Sequence, residues 1–346
     1  MGKTDKVLVL GYFGYSNNQL DGQTVKTRNI YELLKNNSYN VDFYDTQMFQ
    51  KNKLSFLTMI RKTIVSRQII IIPGRNSLKL VFPMIYALSK IFRRELLFIP
   101  VGGWLSEAIK NKSIYQRMLK GCKSVMPQTQ KEAEALRSLY NMTNVDYFPN
   151  FRISTFIPEI KVNKRLKLVF YARIHKKKGL DIVFYIAEKI KNNLSLKGIT
   201  IDFYGQFNEP DKEYFLNMVN KYDFVQYKGF IQPENVYTTL SNYDILLFPT
   251  RYIVNEGFPG SILDSYMSGV PVIASNWIHA YEFVNDRVSG FVCDIENIEQ
   301  FYEKVIYLND NRDILLKMKQ NAYEESKKYS TESALKIISK HLIINK

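Results

Sequence analysis

Cysteine, histidine and tryptophan are scarce in this chain, at two, three and two residues. Cys122 and Cys293 form no metal-ligand or disulfide spacing, which fits a reducing cytoplasm. The histidines stand apart at 175, 279 and 341, and no pair of aspartates closes a strand in the manner of a divalent-metal site. Neither a metal nor any other cofactor is expected. Long apolar runs are also missing: IIIIP (69–73) and LLFIPV (96–101) fall far short of the ~20 residues that span a bilayer. The opening residues, MGKTDKVLVLGYFG, pass straight into a short strand and a glycine turn, so no secretory leader is expected. Zinc-finger spacing, a helix-turn-helix signature and an RNP-like strand are absent, which argues against nucleic acid as a partner.

Acidic residues are outnumbered, 33 against 48 lysines and arginines, and the formal charge of +15 attracts anionic surfaces. In the first half the basic residues interleave with apolar and aromatic ones, as in FQKNKLSFLTMIRKTIVSRQ (49–68) and YALSKIFRRELL (86–97). That pattern suits an anionic leaflet, which would hold a cytoplasmic protein at the inner face of the cell membrane. It equally suits ordinary amphipathic helices with solvated lysines.

At 346 residues and 46% hydrophobic content, the chain exceeds one ordinary core and can bury two. Short apolar runs alternate with helical stretches: KVLVLG, a helix over about 24–36, NVDFYDT, IIIIP, ELLFIPV and KSVMPQT. After PNFRISTFIPEIKVNKR (149–165) the pattern restarts with KLVFYAR, TIDFYGQ, FVQYKGF and YDILLFP. This alternation predicts an α/β fold of two Rossmann-like layers, each a parallel sheet with crossover helices. The expected domains are 1–155 and 156–328, with a terminal segment over 329–346.

The densest chemistry lies in PTRYIVNEGFPGSILDSYMSGVPVIAS, from Pro249 to Ser275. A buried strand (YDILLFP, 243–249) ends in proline, and the loop leaves from the strand's carboxyl end, where open α/β sheets bind ligands. Gly257, Phe258, Pro259 and Gly260 form a turn that lets backbone approach a ligand, and Ser261 is expected to cap the next helix. Its N-terminus would favour a diphosphate. Glu256 precedes the turn and Asp264 follows one helical turn later, so both carboxylates can face one crevice. Arg173, which ends the KLVFYAR strand, and Lys178, which sits before Gly179 in the loop entering the next helix, form the clearest cationic pair, suited to charge on a leaving nucleoside diphosphate. Lys176 and Lys177 read as solvated neighbours, and His175 shows no partner in the sequence. In the first half, Gly14 and Gly22 flank a loop (11–27) that can approach donor phosphate or acceptor, or simply turn. Gly102, Gly103 and Trp104 form a second such loop on the acceptor side, where Trp104 either stacks on a sugar or fills an edge.

The 249–275 segment resembles the donor-site motif of retaining GT-B glycosyltransferases of group 1, family four. FPN (148–150), FYARIHKKKGLD (170–181), DFYG (202–205), YKGFI (227–231) and SGFVCD (289–294) follow in the family's order and cover nearly all of the second half. The chain departs from the family at Asp264, where a second glutamate is usual, and in having no histidine before His175. The resemblance implies two domains facing a cleft, a final helix after Tyr329 that crosses back to the first domain, and no metal. It implies sugar transfer with retention, from a nucleotide sugar, UDP-linked, to a glycan or lipid-linked acceptor in bacterial cell-surface polysaccharide synthesis. In that scheme Glu256 holds donor hydroxyls, Gly260 and Ser261 contact sugar or phosphate, Asp264 meets the ribose, and Gly229, Phe230 and Ile231 border the base. Two other readings stay open: a nucleotide-sugar epimerase of the same fold, and a non-catalytic membrane- or glycan-binding partner.

Overall fold

The computed structural model describes residues 5–15, 19, 21–253 and 256–343. Expectations that touch residues 1–4, 16–18, 20, 254–255 and 344–346 lie outside the described residues at those positions. The chain divides into two compact units, one formed by Met1–Ile153 with Tyr329–Lys346 and the other by Ser154–Lys328.

In the first unit the strands are β1 (Val7–Gly11), β2 (Val41–Asp45), β3 (Gln68–Ile72), β4 (Glu95–Phe98) and β5 (Ser124–Val125). They pair in parallel in the order β2-β1-β3-β4-β5. The helices between them are α1 (Gly22–Asn36), α2 (Met48–Lys51), α3 (Ser55–Val65), α4 (Val81–Ile91), α5 (Leu105–Ile109), α6 (Ser113–Lys120) and α7 (Gln130–Tyr140). Alternate strand residues feed two cores: Leu8, Leu10, Ile69 and Ile71 pack under α3 to α7, and Val7, Val9, Ile70 and Ile72 pack under α1. Burial on both faces is why these strands read as unbroken apolar runs.

Helix α1 begins two residues earlier than the apolar pattern implies, because Asp21 caps it. Its Oδ1 accepts the Gln23 and Thr24 amides at 3.0 and 2.9 Å, and Thr24 Oγ1 accepts the Asp21 amide in return.

Between the two units the connecting residues 149–163 carry no helix or strand. The second unit begins its sheet with β6 (Lys167–Tyr171), then α8 (Leu180–Lys191), β7 (Thr200–Tyr204), α9 (Lys212–Val219), β8 (Val225–Tyr227), α10 (Val236–Leu240) and β9 (Ile245–Phe248). It continues through α11 (Gly260–Met267), β10 (Val272–Ser275), α12 (Ala280–Phe283), β11 (Gly290–Cys293), α13 (Glu299–Asp310) and α14 (Arg312–Ser326). The sheet is parallel, in the order β11-β10-β9-β6-β7-β8. From β6 the chain builds outward to β8, then returns to lay β9 on the other side of β6. The loops after β6 and β9 therefore leave in opposite directions and open a crevice at the carboxyl edge, the place where doubly wound sheets take ligands.

The last helix, α15 (Thr331–Ile338), returns to the first unit, where Ala334, Ile338 and Leu342 join the core under α1. Both cysteines are buried, which pushes each thiol up to about 12 and leaves it protonated and unreactive.

Two lysines are buried as hydrogen-bond donors to backbone carbonyls. Lys26 of α1 donates to the Phe148 carbonyl at 3.2 Å, and Lys319 of α14 donates to the Tyr243 carbonyl at 2.6 Å. Burial lowers Lys26 from 10.5 to about 7 and Lys319 to about 8. The folded state releases these protons before the unfolded chain does, so stability is lowest below about pH 7 and rises as pH climbs toward 10.5. Within that window each group contributes about 1.4 kcal/mol per pH unit. Urea denaturation from pH 7 to 10 should show this rise, and Lys26→Met should flatten it. An unchanged pH slope in that variant would mean the Lys26 ammonium is not responsible.

Candidate functional site

The crevice between β6 and β9 is built from loops that touch backbone to backbone. Gly179, the residue before α8, has φ +80°, and a Cβ placed there would lie 1.9 Å from the Pro249 carbonyl oxygen that closes β9. Only glycine supplies both the left-handed backbone and the close approach. The Arg251 amide donates to the Lys177 carbonyl at 2.9 Å, and the Arg251 guanidinium forks onto the Asp181 carboxylate. Gly205, after β7, has φ +147° and meets the Ala172 carbonyl in the same way, while its amide donates to the Gly229 carbonyl at 2.9 Å. Three successive loops thus stack along one edge.

Across this junction Lys178 Nζ meets Glu256 Oε2 in a short ion pair, with both side chains mostly shielded from solvent. Thr250 Oγ1 donates to the same carboxylate oxygen at 3.2 Å, and Ser275 Oγ donates to the Thr250 carbonyl at 2.6 Å. The Lys178 ammonium also sits over the Tyr252 ring at 5.1 Å and the Phe248 ring at 5.6 Å, a seat that favours a cation. Arg173 is exposed, and its guanidinium has no ion pair among the described residues. Lys178, expected from the sequence to face a diphosphate, pairs in the structure with Glu256.

Behind Glu256, Trp277 Nε1 donates to the Gly257 carbonyl at 3.3 Å, and Phe258 stacks on Phe283 with ring centroids 3.9 Å apart. Pro259 is the N-cap of α11, Gly260 is its first residue, and no side chain caps it. The expectation that Ser261 caps this helix is corrected: Ser261 lies one residue inside it. The backbone ladder of α11 starts with the Leu263 amide reaching the Pro259 carbonyl, and the uncapped N-terminus lies at the crevice. Asp264 sits one turn further on and is buried, not openly displayed. Gly229 has nothing within 4 Å of where a side chain would begin, Phe230 is partly exposed and Ile231 is buried.

Gly14 (φ +65°) is buried and its carbonyl accepts the Gln19 amide at 3.0 Å. Asp45 holds this loop by accepting the Phe13 and Gln47 amides at 3.1 and 2.9 Å. Gly22 opens α1, but the Asp21 carboxylate already occupies that N-terminus, so an incoming phosphate would compete with a built-in anion. Trp104 is 8% exposed, donates its indole N–H to the Val101 carbonyl and packs its ring on Gly102, with Gly103 between them in the turn. Of the two roles open to Trp104, filling the core is the one the structure shows; it presents no open face for sugar stacking.

Thr250, Arg251 and Tyr252 were not singled out in the sequence. Their only local signal is the position directly after the proline that closes β9, and the partners Lys177, Lys178 and Asp181 lie far back in the chain. His175, partnerless in the sequence, accepts the Lys177 amide at Nδ1 and lies 3.4 Å from Asp211. His279 is buried with Nδ1 3.0 Å from Glu282.

Comparison with known proteins bears on this geometry. Residues 153–325 match the family model described as glycosyl transferases group 1. The chain is 22% identical over 200 residues to a 41.2 kDa protein of the cps region of Klebsiella pneumoniae, covering 55% of this chain and 52% of that one. It is 23% identical to the GtfA subunit of the UDP-N-acetylglucosamine–peptide N-acetylglucosaminyltransferase of Streptococcus gordonii, covering 49% of this chain and 33% of that protein. It thus spans about half of the first of these curated relatives and a third of the second. Among solved structures, Anabaena HepE in complex with UDP-glucose superposes with a TM-score of 0.74 at 15% identity, covering 97% and 99% of the two chains. A glycosyltransferase from Rickettsia africae gives 0.75 at 16% identity, covering 97% of each. These likenesses, with two parallel sheets flanked by helices, show the GT-B fold.

Proposed function

The chain belongs to the group 1 glycosyl transferases, and from that premise we propose that it transfers a sugar from a UDP-linked donor to a glycan or lipid-linked acceptor, with retention at the anomeric carbon. The observation that carries this reading is the Lys178–Glu256 pair, set between the loops that follow β6 and β9 and just ahead of the uncapped N-terminus of α11. The name of the streptococcal relative and the UDP complexes of HepE support UDP as the nucleotide. The Klebsiella relative, a protein of a cps region, supports a role in cell-surface polysaccharide synthesis.

Donor binding exchanges partners. The diphosphate draws Lys178 from Glu256 and adds Arg173, and the released carboxylate accepts hydroxyls of the donor sugar. The bond from C1 to the phosphate oxygen breaks with its electron pair leaving on UDP. The acceptor oxygen attacks the same face, and its proton passes to the departing phosphate oxygen. Charge growing on that oxygen is met by Arg173, Lys178 and the α11 amides, so this scheme needs no metal. Asp264 approaches the ribose, and Gly229 to Ile231 border the base. No helix among the described residues is long and apolar enough to cross a membrane.

The test is to supply UDP-sugars with and without a lipid-linked acceptor and to read the anomeric configuration of the product by NMR. Inversion, or a new sugar nucleotide formed from donor alone, would sink the proposal. Loss of a charge-assisted contact in Arg173→Ala should weaken UDP binding about 10- to 100-fold. The thermal stabilisation that UDP gives the unaltered protein should shrink accordingly. Equal stabilisation in the variant would remove Arg173 from the site.

A further inference from the structure

The positive charge of the chain is concentrated in one stretch. Residues 46–123 hold fifteen lysines and arginines against two acids, Glu95 and Glu107, and so carry most of the net +15. This stretch contributes α3, α4, α5 and α6, which share a core under one face of the first sheet. They lie side by side: α3 contacts α4, and Lys90 of α4 donates to the Gly121 carbonyl just beyond α6.

In a parallel sheet the crossover helices run against the strands, so the N-terminal ends of α3, α4 and α6 lie at the sheet's carboxyl edge. The loops bearing Gly14 and Gly102 leave from that same edge. At those helix ends stand Leu54, Leu57, Leu80 and Ile114, between 63% and 72% exposed, although packing buries most large apolar side chains of this unit. A basic residue stands beside three of the four: Lys53 beside Leu54, Lys79 beside Leu80 and Lys112 near Ile114. None of these three lysines forms an ion pair with an acid among the described residues. Solvated surface helices would be expected to place polar residues at the most exposed positions and to mix the charge signs. Helices α3, α4 and α6 carry no acid, and leucine and isoleucine stand among the most exposed residues of the layer.

We propose that the α3–α4–α6 layer docks on an anionic lipid bilayer, with the leucine and isoleucine tips entering the headgroup boundary and the lysines meeting lipid phosphates. Alternation of long apolar tips with unpaired ammonium groups is complementary to such a surface: the apolar tips distinguish it from a soluble polyanion, and the charge distinguishes it from a neutral membrane or an apolar protein groove. Docking through this layer brings the carboxyl edge of the first sheet close to the lipid surface. The inference concerns lipid binding alone and does not rest on the transfer reaction.

The experiment is flotation of the full chain, without nucleotide sugar, on vesicles of phosphatidylcholine alone and of phosphatidylcholine with phosphatidylglycerol. Binding is expected on the anionic vesicles only. The variants Lys53→Gln, Lys79→Gln and Lys112→Gln should each weaken it about fivefold, and the three together about a hundredfold. Leu54→Ser with Leu57→Ser should remove at least about tenfold more and abolish the part of binding that survives high salt. Unchanged melting temperatures would show that the variants fold. Equal binding to neutral vesicles, or anionic binding untouched by the leucine changes and fully competed by heparin, would overturn the proposal.

Discussion

Glu256→Gln is expected to lower kcat about 10²- to 10³-fold while leaving UDP affinity within a few-fold of the unaltered protein. The substitution keeps the size of the side chain and an oxygen for the Thr250 hydroxyl, but removes the charge that Lys178 faces. Because the proposed role of Glu256 is to hold the sugar and not the nucleotide, the loss should fall on turnover. Lys178→Ala should cost a similar factor, through the phosphate, and should also weaken UDP binding. The double variant should lose less than the product of the two single losses, since the residues are partners before the donor arrives. Steady-state kinetics on the four proteins reads all of this. Full activity in Glu256→Gln would show that the carboxylate holds Lys178 in place and does nothing to the sugar.

Gly179→Ala is expected to be the most destabilising single change in the second unit. The backbone there is left-handed, which costs a residue with a Cβ about 1–2 kcal/mol. The added carbon would also stand 1.9 Å from the Pro249 carbonyl, closer than any non-bonded contact allows. Relief requires separating the loops after β6 and β9, which breaks the Arg251 to Lys177 backbone bond and moves Lys178 away from Glu256. A total loss of about 3 kcal/mol or more should appear as a lower urea midpoint, together with loss of UDP binding. Gly22→Ala is the matched control: nothing lies within 4 Å of the added carbon and the residue is helical, so stability should hold or rise slightly. If the two alanine variants behave alike, the close approach at Gly179 carries no energetic weight.

What the sequence exposed and what it hid divide along the range of the interactions. Parallel strands buried on both faces become short apolar runs such as QIIII and ILLF, so the α/β alternation and the two-sheet fold were legible from composition alone. The loops at Arg173–Gly179 and Glu256–Gly260 were legible because charge and glycine sit directly after such runs. Helix caps were harder. Ser261 and Asp21 are both good capping residues, but only Asp21 takes the position; at α11 the chain turns in at Pro259, whose fixed φ suits a cap without a side-chain bond. Trp104 could not be assigned from its neighbours, since its burial depends on a core assembled from strands and helices across more than a hundred residues. The Thr250–Glu256 contact and the Arg251–Asp181 fork depend on two strands being neighbours in the sheet, a fact of topology that no local pattern carries.

The return of α15 to the first unit has a consequence for the order in which the protein becomes complete. As the chain emerges from the ribosome, the first five strands appear early, but Ala334, Ile338 and Leu342, which close the core under α1, arrive only after the whole of Ser154–Lys328 has been made. The second unit is continuous in sequence and can close on itself, whereas the first must wait with part of its apolar surface uncovered. A chain truncated after residue 328 and released would therefore hold a finished second unit and an unfinished first one, and the uncovered patch beside Ile30 and Leu34 is where a holding chaperone would bind.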